Sequence, residues 1–354
     1  MTTATALTCP SCGAPVAPGD AFCEACGNEL PAAASPGVEP AGPATDPLAS
    51  ASAGAKPCVS CGAPADQIID GYCNQCGMKQ PAPRDHIEAT PAVGVAAVTD
   101  RGRRHPRNED AFSVTVTPAG RVLAVVCDGV STSTDPDVAS QAAVGAALAP
   151  LADADEERWP LLRAHTRAYD EARKAVLAVP YTAGGPYGPP ACTYLAAAVE
   201  GSMVSLSTLG DCRAFWLPAG GGADALTDDD SWAADKVRSG AMSPDEAYHA
   251  PDAHLITRWL GRDADPTWEP HHVDFTAPAA GRLVLCSDGL WNYAIDPAAL
   301  ATAAGAGTAI EVARRLVTFA NDQGGHDNIT VVVVDLPISP SRAADGDAAR
   351  GTAP

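Results

Sequence analysis

Basic side chains are scarce in this 354-residue chain, which has 23 lysines and arginines against 43 aspartates and glutamates. The net charge of −20 and the pI near 4.6 argue against a general affinity for nucleic acid, because phosphate backbones require a basic surface.

Long apolar runs are also lacking, since the longest candidate, 142–152, contains a proline and is shorter than the ~20 residues of a membrane span. The first residues show neither the basic nor the apolar segment of a secretion signal. We therefore expect a cytoplasmic protein without a membrane span.

Eight of the twelve cysteines form two quartets, each built from two C-x-x-C pairs. The quartets are Cys9, Cys12, Cys23 and Cys26, followed by Cys58, Cys61, Cys73 and Cys76. Two such turns facing each other make a four-sulfur site suited to zinc. The alternative is a set of disulfides in a secreted protein, which the missing signal disfavours. The quartets resemble zinc-ribbon units of bacterial regulatory proteins and predict two structural Zn²⁺ ions, without which such small units do not fold.

Segments rich in Ala, Pro, Gly and Ser separate the parts of the chain, and they cannot bury a core. We predict zinc ribbons at 1–30 and 58–80, linkers at 31–57 and 81–91, one large domain at 92–336 and a disordered tail at 337–354.

Within the large domain, short apolar runs, most of which end at Gly or Asp, predict buried strands at 121–129, 192–201, 203–217, 281–291 and 329–336. Three longer segments, 136–152, 158–179 and 309–324, have helical spacing. Strands, then two helices, then strands and a late helix predict an α+β sandwich rather than repeated βαβ units. The remaining cysteines lie one in each of four apolar segments, which favours buried small side chains over catalytic thiols. They are Cys127, Cys192, Cys212 and Cys286.

Acidic residues stand at the ends of several separated apolar runs. They are Glu109, Asp110, Asp128, Asp211, Asp288 and Asp327. Taken singly, each has the ordinary role of a turn residue or cap. If the strand ends converge, however, the clustered carboxylates require cations, and Mg²⁺ or Mn²⁺ suits oxygen ligands. Two such ions can activate water and neutralise a phosphoryl group.

The stretch RRHPRNEDAF, 103–112, sets basic side chains directly before two of these acids. It is either an ordinary charged turn or a place where cations help to recognise what the acids hold.

Eight motifs in order resemble the metal-dependent protein phosphatases of the 2C type, over about 93–335. They are RNEDAF, VVCDGVS, CTYLAAAV, TLGDCRAFWL, LTDDDSW, ITRWLG, VLCSDGLW and GGHDNITVVVV. The resemblance implies a four-layer αββα sandwich, in which helices flank two antiparallel sheets. It also implies hydrolysis of phosphoserine and phosphothreonine by attack of a water that bridges two metals.

The resemblance further implies a role for each matching residue. Asp128 would bridge two Mn²⁺ or Mg²⁺ ions, and the Gly129 carbonyl would bind one of them. The other implied metal residues are Glu109, Asp110, Asp288 and Asp327, with Asp211 at a weaker third ion. Among these, Asp128, Asp288 and Asp327 are the implied catalytic residues, Asn328 would orient Asp327, and 230–258 matches a variable flap connected with substrate choice.

Two departures from the family pattern matter. The family's phosphate-binding arginine falls on His105, so we expect either a catalytic or phosphate-contacting role for His105, or an anchor at Arg104 or Arg107. In addition, the loop DGVSTST differs after Gly129, although the aspartate and glycine are kept.

The leading hypothesis is a phosphatase of phosphorylated proteins or peptides that opposes a bacterial serine/threonine kinase. The alternative is a phosphatase-like binding or scaffold protein with little turnover, recruited by its ribbons. Nucleic-acid binding through the ribbons is weakly supported, because their loops contain one lysine and no arginine.

Overall fold

The computed structural model describes residues 57–157 and 161–336, together with two short strands nearer the N-terminus. The chain divides into two units, Met1–Met78 and Lys79–Pro354. The smaller unit contains two antiparallel pairs: β1 (Leu7–Thr8) with β2 (Pro15–Val16), and β3 (Ile68–Ile69) with β4 (Tyr72–Cys73). The first cysteine quartet, residues 31–56 of the predicted linker 31–57, and the tail 337–354 lie outside the described residues.

The larger unit alternates strands with seven helices among its described residues. Its strands are β5 (His86–Ala92), β6 (Val95–Asp100), β7 (Ala111–Val116), β8 (Val122–Cys127), β9 (Ala191–Cys192), β10 (Tyr194–Glu200), β11 (Met203–Leu209), β12 (Arg213–Pro218), β13 (Asp224–Ala225), β14 (Leu260–Gly261), β15 (His271–Thr276), β16 (Gly281–Cys286) and β17 (Ile329–Leu336). Its helices are α1 (Pro136–Glu157), α2 (Leu161–Ala178), α3 (Trp232–Arg238), α4 (Pro244–Tyr248), α5 (Asp288–Trp291), α6 (Pro297–Ala304) and α7 (Ala309–Asp322).

Ten of these strands, with the short β13, form two antiparallel sheets. Sheet 1 has the order β15-β11-β10-β8-β7, and sheet 2 has the order β13-β12-β16-β17-β6-β5. Side chains alternate along a strand, so β8 presents Leu123 and Val125 to α1 and α2, and Ala124 and Val126 to sheet 2. Helices α5, α6 and α7 cover the outer face of sheet 2 in the same way. The predicted αββα sandwich is therefore confirmed.

Burial on both faces explains why the sequence of these strands is almost continuously apolar. The segments read as strands around 122–127, 281–286 and 329–336 are strands, and the three predicted helices are α1, α2 and α7. The four single cysteines are fully buried, as expected for small apolar side chains. No helix among the described residues is long and apolar enough to cross a membrane.

The prediction of a linker over 81–91 is wrong. Pro83–Asp85 forms a 3-10 turn, and β5 follows it as the edge strand of sheet 2, paired with β6. The side chains of β5 are mostly exposed, so the strand lacks the apolar signal of its buried neighbours. Pro91 is accommodated because β5 lies at the edge, next to a register shift between Ala89 and Ala92. The other predicted domain limits stay predictions.

Helix α2 carries a buried histidine against the edge of sheet 1. The ring of His165 is 1% exposed and lies 5.4 Å from the ring of His272 on β15, centroid to centroid. Burial, and secondly the neighbouring His272, lower the pKa of His165 to about 4 from its ordinary 6.5. His165 is therefore neutral in the folded protein at neutral pH.

This histidine predicts an acid-sensitive component of stability. Between pH 6.5 and 4 the unfolded chain binds a proton that folded His165 does not, so stability falls as the pH decreases through this window. We expect His165 to contribute a loss of about 3 kcal/mol across it. Urea unfolding at several pH values should show a shallower pH dependence for His165→Leu than for wild type. His249→Leu, at an exposed position on the C-terminal side of α4, should keep the wild-type slope, and equal slopes for all three proteins would contradict the prediction.

Candidate functional site

Strand ends from both sheets bring the acidic residues together. Asp128 follows β8 of sheet 1, whereas Asp288 follows β16 of sheet 2. A cavity of about 210 Å³ is lined by Asp128, Gly129, Asp211, Asp288 and Asp327. Glu109 and Asp110, which precede β7, complete the cluster through contacts with the same strands. The six acids are thus collected at one end of the sandwich.

Two buried hydroxyl groups hold Asp110. Ser287 Oγ and Thr330 Oγ1 each donate to Asp110 Oδ2 at 2.7 Å. Ser287 directly precedes Asp288, and Thr330 lies near the start of β17, so both hydroxyls come from sheet 2. Asp110 is therefore fixed between the strands that carry Asp288 and Asp327.

Asn328 ties the loop before β7 to Asp327. Its Oδ1 accepts the Glu109 N–H at 2.6 Å, and its Nδ2 donates to the carbonyls of Arg101 and Arg107 at 2.7 and 3.0 Å. Its own N–H donates to Asp327 Oδ1 at 2.8 Å. Asn328 therefore links Asp327 to the segment that carries Glu109.

The Asp128–Gly129 turn is fixed by backbone contacts. The Asp128 N–H donates to Thr193 Oγ1 at 2.9 Å, and its carbonyl accepts the Thr193 N–H at 2.7 Å. A Cβ on Gly129 would lie 2.5 Å from the Pro136 carbonyl oxygen, so only glycine fits there. The backbone at Gly129 consequently packs directly against the first turn of α1 and the segment of Glu109, whose carbonyl accepts the Gly129 N–H at 3.2 Å.

Burial and crowding raise the pKa values of these acids. Burial raises the pKa of Asp110 to about 6 and that of Asp211 to about 7. Burial, and then the neighbouring carboxylates, raise the pKa values of Asp128 and Asp288 well above the usual range. The cluster must therefore take up protons or cations to be stable.

The donor set fits hard divalent cations. Among the described residues, the Oδ1 atoms of Asp110, Asp211 and Asp288 are buried and have no hydrogen-bond partner. Buried polar atoms are rarely left unpaired in folded proteins. Carboxylate oxygens and backbone carbonyl oxygens are ligands that Mg²⁺ and Mn²⁺ prefer. The residues present therefore suit such ions.

The basic stretch before Glu109 faces the cluster only in part. His105 Nε2 lies 3.2 Å from Asp327 Oδ1, and its Nδ1 lies 3.8 Å from Glu109 Oε2. Arg107 Nε lies 3.0 Å from Glu109 Oε1 and 3.6 Å from Asp137 Oδ1. Arg104 is exposed and makes no contact with the acids in the part of the chain that the structure describes. The His105 side chain is 22% exposed, so it is not a freely solvated loop residue.

The predicted flap, 230–258, contains α3 and α4 and forms one wall of the acidic cavity through His254, Leu255 and Ile256. Its first residue, Asp230, is buried and accepts the Gly210 N–H at 3.0 Å, directly before Asp211. The flap is therefore anchored at the cluster itself.

A buried ion pair behind the flap was not predicted from the sequence. Arg213 is paired with Asp229 and also donates to Tyr248 Oη at 2.8 Å. Its guanidinium carbon lies 3.6 Å from the ring centroid of Trp291, whose Nε1 donates to the Asp211 carbonyl at 2.8 Å. Asp229 and Tyr248 lie 16 and 35 residues from Arg213, so no local sequence pattern indicates these contacts.

The second cysteine quartet forms a separate candidate metal centre. The Sγ atoms of Cys58, Cys61, Cys73 and Cys76 all lie within 4.8 Å of one another. Gly62 and Gly77, each after the second cysteine of a pair, have φ values of 72° and 71° and donate to the carbonyls of Cys58 and Cys73 at 2.9 and 2.7 Å. These turns fold the backbone around the sulfurs, an arrangement suited to tetrahedral zinc.

Comparison with known proteins agrees with this geometry. Residues 99–324 match the family model described as Protein phosphatase 2C, and residues 9–77 match the model described as Double zinc ribbon. The chain is 34% identical to the serine/threonine protein phosphatase PstP of Mycobacterium tuberculosis, covering 68% of this chain and 44% of PstP. It is 30% identical to the serine/threonine phosphatase stp of Listeria monocytogenes, covering 68% of this chain and 95% of stp.

Solved structures of the phosphatase PstP also resemble this chain. The crystal structure of M. tuberculosis PstP/Ppp is 32% identical, with a TM-score of 0.59, over 71% of this chain and 99% of that chain. The PstP catalytic domain in complex with two manganese ions is 31% identical, with a TM-score of 0.56, over 71% of this chain and 98% of that chain. With its acidic cluster, its αββα sandwich and its N-terminal cysteine quartets, the chain belongs to the protein phosphatase 2C family and carries a double zinc ribbon.

Proposed function

We propose that this chain is a metal-dependent protein phosphatase that hydrolyses phosphoserine and phosphothreonine in proteins. The observation that carries the proposal is the buried acidic cluster, whose unpaired oxygens and raised pKa values call for divalent cations. The relatives that share the fold are named serine/threonine phosphatases, which supports the reaction type. The alternative of a scaffold with little turnover is not favoured, because the acidic positions are intact.

The proposed ligands divide between the two sheets. Asp128 and the Gly129 carbonyl, together with Glu109, would hold one ion. Asp128, Asp288 and Asp327 would hold a second ion, and Asp211 with Asp288 a weaker third. Bound there, the ions would neutralise a phosphoryl group and lower the pKa of the attacking water. A PstP structure with two manganese ions supports Mn²⁺ as a choice.

Side chains of this protein would position the waters at the ions and the substrate phosphate. Asp110, held by Ser287 and Thr330, would accept hydrogen bonds from waters at the ions through its unpaired Oδ1. The flap would limit the entry of solvent through the wall at Leu255 and Ile256. His105 and Arg107 would contact the substrate phosphate, since both already lie beside Glu109.

The ribbons and the physiological partners complete the proposal. Each cysteine quartet would hold one structural Zn²⁺, supported by the clustered sulfurs of the second quartet and by the double-zinc-ribbon match. The substrates would be phosphorylated proteins, and the opposing enzyme a cognate serine/threonine kinase in the cytoplasm.

The proposal is tested by the release of phosphate from a phosphothreonine peptide. Full-length protein loaded with zinc, but depleted of Mn²⁺ and Mg²⁺, should be inactive and should regain activity when Mn²⁺ is added. Zinc is kept in the buffer so that the ribbons stay folded. Activity that is equal with and without added Mn²⁺ would reject a metal-dependent mechanism.

The three basic residues should differ in their effect on substrate binding. Charge-assisted hydrogen bonds to phosphate are worth about 1.5–3 kcal/mol, so Arg107→Ala and His105→Ala should each raise KM about 10-fold or more. Arg104→Ala, at an exposed position without contact to the acids, should keep KM within about 2-fold of wild type. The measurement is the Michaelis constant for one phosphopeptide. A KM that rises only in Arg104→Ala would overturn the assignment.

A further inference from the structure

A second cavity, of about 570 Å³, lies beside the acidic site. Ser131 lines both cavities, and Glu109 lines the second one. The other walls come from four separate segments of the chain. They include Lys79, His105, Arg107, Ser133, Thr134 and Tyr187. The second cavity therefore adjoins the place where the substrate phosphate would be held.

Lys79 supplies a positive charge to a cavity whose lining also includes the carboxylates of Glu109 and Asp135, neither of which is paired with it. Its Nζ donates to the Pro106 carbonyl at 2.8 Å, which places this exposed side chain at the cavity. A carbonyl is a neutral acceptor, and Lys79 forms no ion pair with any residue that the structure describes. Arg107 contributes less, because Glu109 and Asp137 already surround it. The ammonium group of Lys79 is thus available to an anion.

Ser133 adds a buried hydroxyl that lacks a partner. It is 5% exposed, and its Oγ has no hydrogen-bond partner among the described residues. Its loop is well fixed, since the Ser133 N–H donates to the Val130 carbonyl at 2.8 Å and the Thr134 N–H donates to the Gly188 carbonyl at 2.8 Å. Because buried hydroxyls are normally paired, Ser133 points to a ligand atom in this cavity.

We propose that this cavity binds a second anionic group of the phosphorylated segment, either a carboxylate or another phosphate close to the residue being dephosphorylated. This inference rests on the proposed phosphatase function and names its substrate class as acidic phosphopeptides. Lys79 attracts the anion, Ser133 and Thr134 donate hydrogen bonds to it, and Tyr187 forms a wall. Because the two cavities share Ser131, the anion lies about one to three residues from the phosphorylated one in an extended chain.

The test compares phosphothreonine peptides on the zinc- and manganese-loaded full-length protein. Peptides with glutamates on either side of the phosphothreonine are compared with matched glutamine peptides, and with peptides that carry a second phosphate. Wild type should show a kcat/KM about 10-fold higher for the anionic peptides. A gain with either anion supports the proposal, and the comparison identifies the preferred anion.

Variants locate this preference in the cavity. Lys79→Met should reduce the preference to below about 3-fold, Lys79→Arg should restore most of it, and Ser133→Ala should reduce it. Hydrolysis of p-nitrophenyl phosphate, which is too small to reach the second cavity, should be unchanged in Lys79→Met. The matched control is Lys174→Met on α2, where lysine pairs with Glu171 and the preference should stay at the wild-type level.

Three results would overturn the inference. The first is a wild type that hydrolyses p-nitrophenyl phosphate but prefers neither the glutamate peptides nor the doubly phosphorylated peptides over the glutamine peptides, which leaves the phosphatase function intact. The second is an equal loss of p-nitrophenyl phosphate hydrolysis in Lys79→Met, which would assign Lys79 to the reacting site or to the fold. The third is a lack of hydrolysis of every substrate with Mn²⁺, which would overturn the proposed function as well.

Discussion

Asp128→Asn is expected to lower kcat/KM for a phosphothreonine peptide by about 10³-fold or more. Asp128 lies at the end of β8, where it faces the carboxylates contributed by the second sheet. In the proposed site Asp128 binds two ions, so loss of its charge weakens the binding of both. The amide keeps the size of the side chain, and the backbone contacts with Thr193 do not involve the carboxylate.

The same variant should fold at least as well as wild type without Mn²⁺. Neighbouring carboxylates repel the ionised form of Asp128, and the amide removes that repulsion. A thermal unfolding midpoint equal to or above that of metal-free wild type would therefore accompany the loss of activity. The control is Asp170→Asn at an exposed position on α2, which should keep full activity. An Asp128→Asn protein with more than a tenth of wild-type activity at saturating Mn²⁺ would contradict the assignment.

Gly289→Ala is expected to damage both the fold and the site. A Cβ at this position would lie 1.9 Å from the Asn328 carbonyl oxygen and 3.4 Å from Asp327 Cβ. Neither neighbour is the end of a flexible side chain, so α5 and the start of β17 must move apart. That movement separates Asp288 from Asp327. Displacements of about 1 Å in a catalytic site can cost about 100-fold in rate, and overpacking costs about 1–3 kcal/mol of stability.

The matched control is Gly145→Ala, at an exposed position inside α1. A Cβ there meets no atom within 4 Å beyond the backbone of its own helix, so alanine should stabilise the helix by about 0.5–1 kcal/mol and leave activity unchanged. Urea unfolding and phosphopeptide hydrolysis would be measured for both variants. Equal stability and activity of Gly289→Ala and wild type would show that α5 can shift without affecting the acids.

The fold was predictable where burial is complete. Strands such as β8 and β17 are apolar on both faces, and α7 has a clear helical period, so these elements can be predicted from their sequences alone. The edge strand β5 and the short helices α3–α6 give no such signal, because their side chains are partly solvated or because they are only a few residues long. Their positions depend on contacts with other elements.

The carboxylates of the candidate site could be predicted from the sequence, but the groups that hold them in place could not. Aspartates at strand ends, in the order of a known family, indicated the acidic cluster. Ser287 and Thr330, however, lie 177 and 220 residues from Asp110, and an isolated serine or threonine has no sequence feature that indicates its partner. The unpaired hydroxyl of Ser133 and the position of Lys79 at the second cavity likewise became evident only from the three-dimensional arrangement.

If the acidic cluster holds divalent cations, the protein must bind Mn²⁺ in solution, and this binding can be measured without substrate. Full-length protein, with its ribbons loaded with zinc, would be titrated with Mn²⁺ while free Mn²⁺ is measured by electron paramagnetic resonance. We expect at least two bound Mn²⁺ per wild-type chain and a clear loss of that binding in Asp128→Asn. Identical Mn²⁺ stoichiometry and affinity in the two proteins would contradict this expectation.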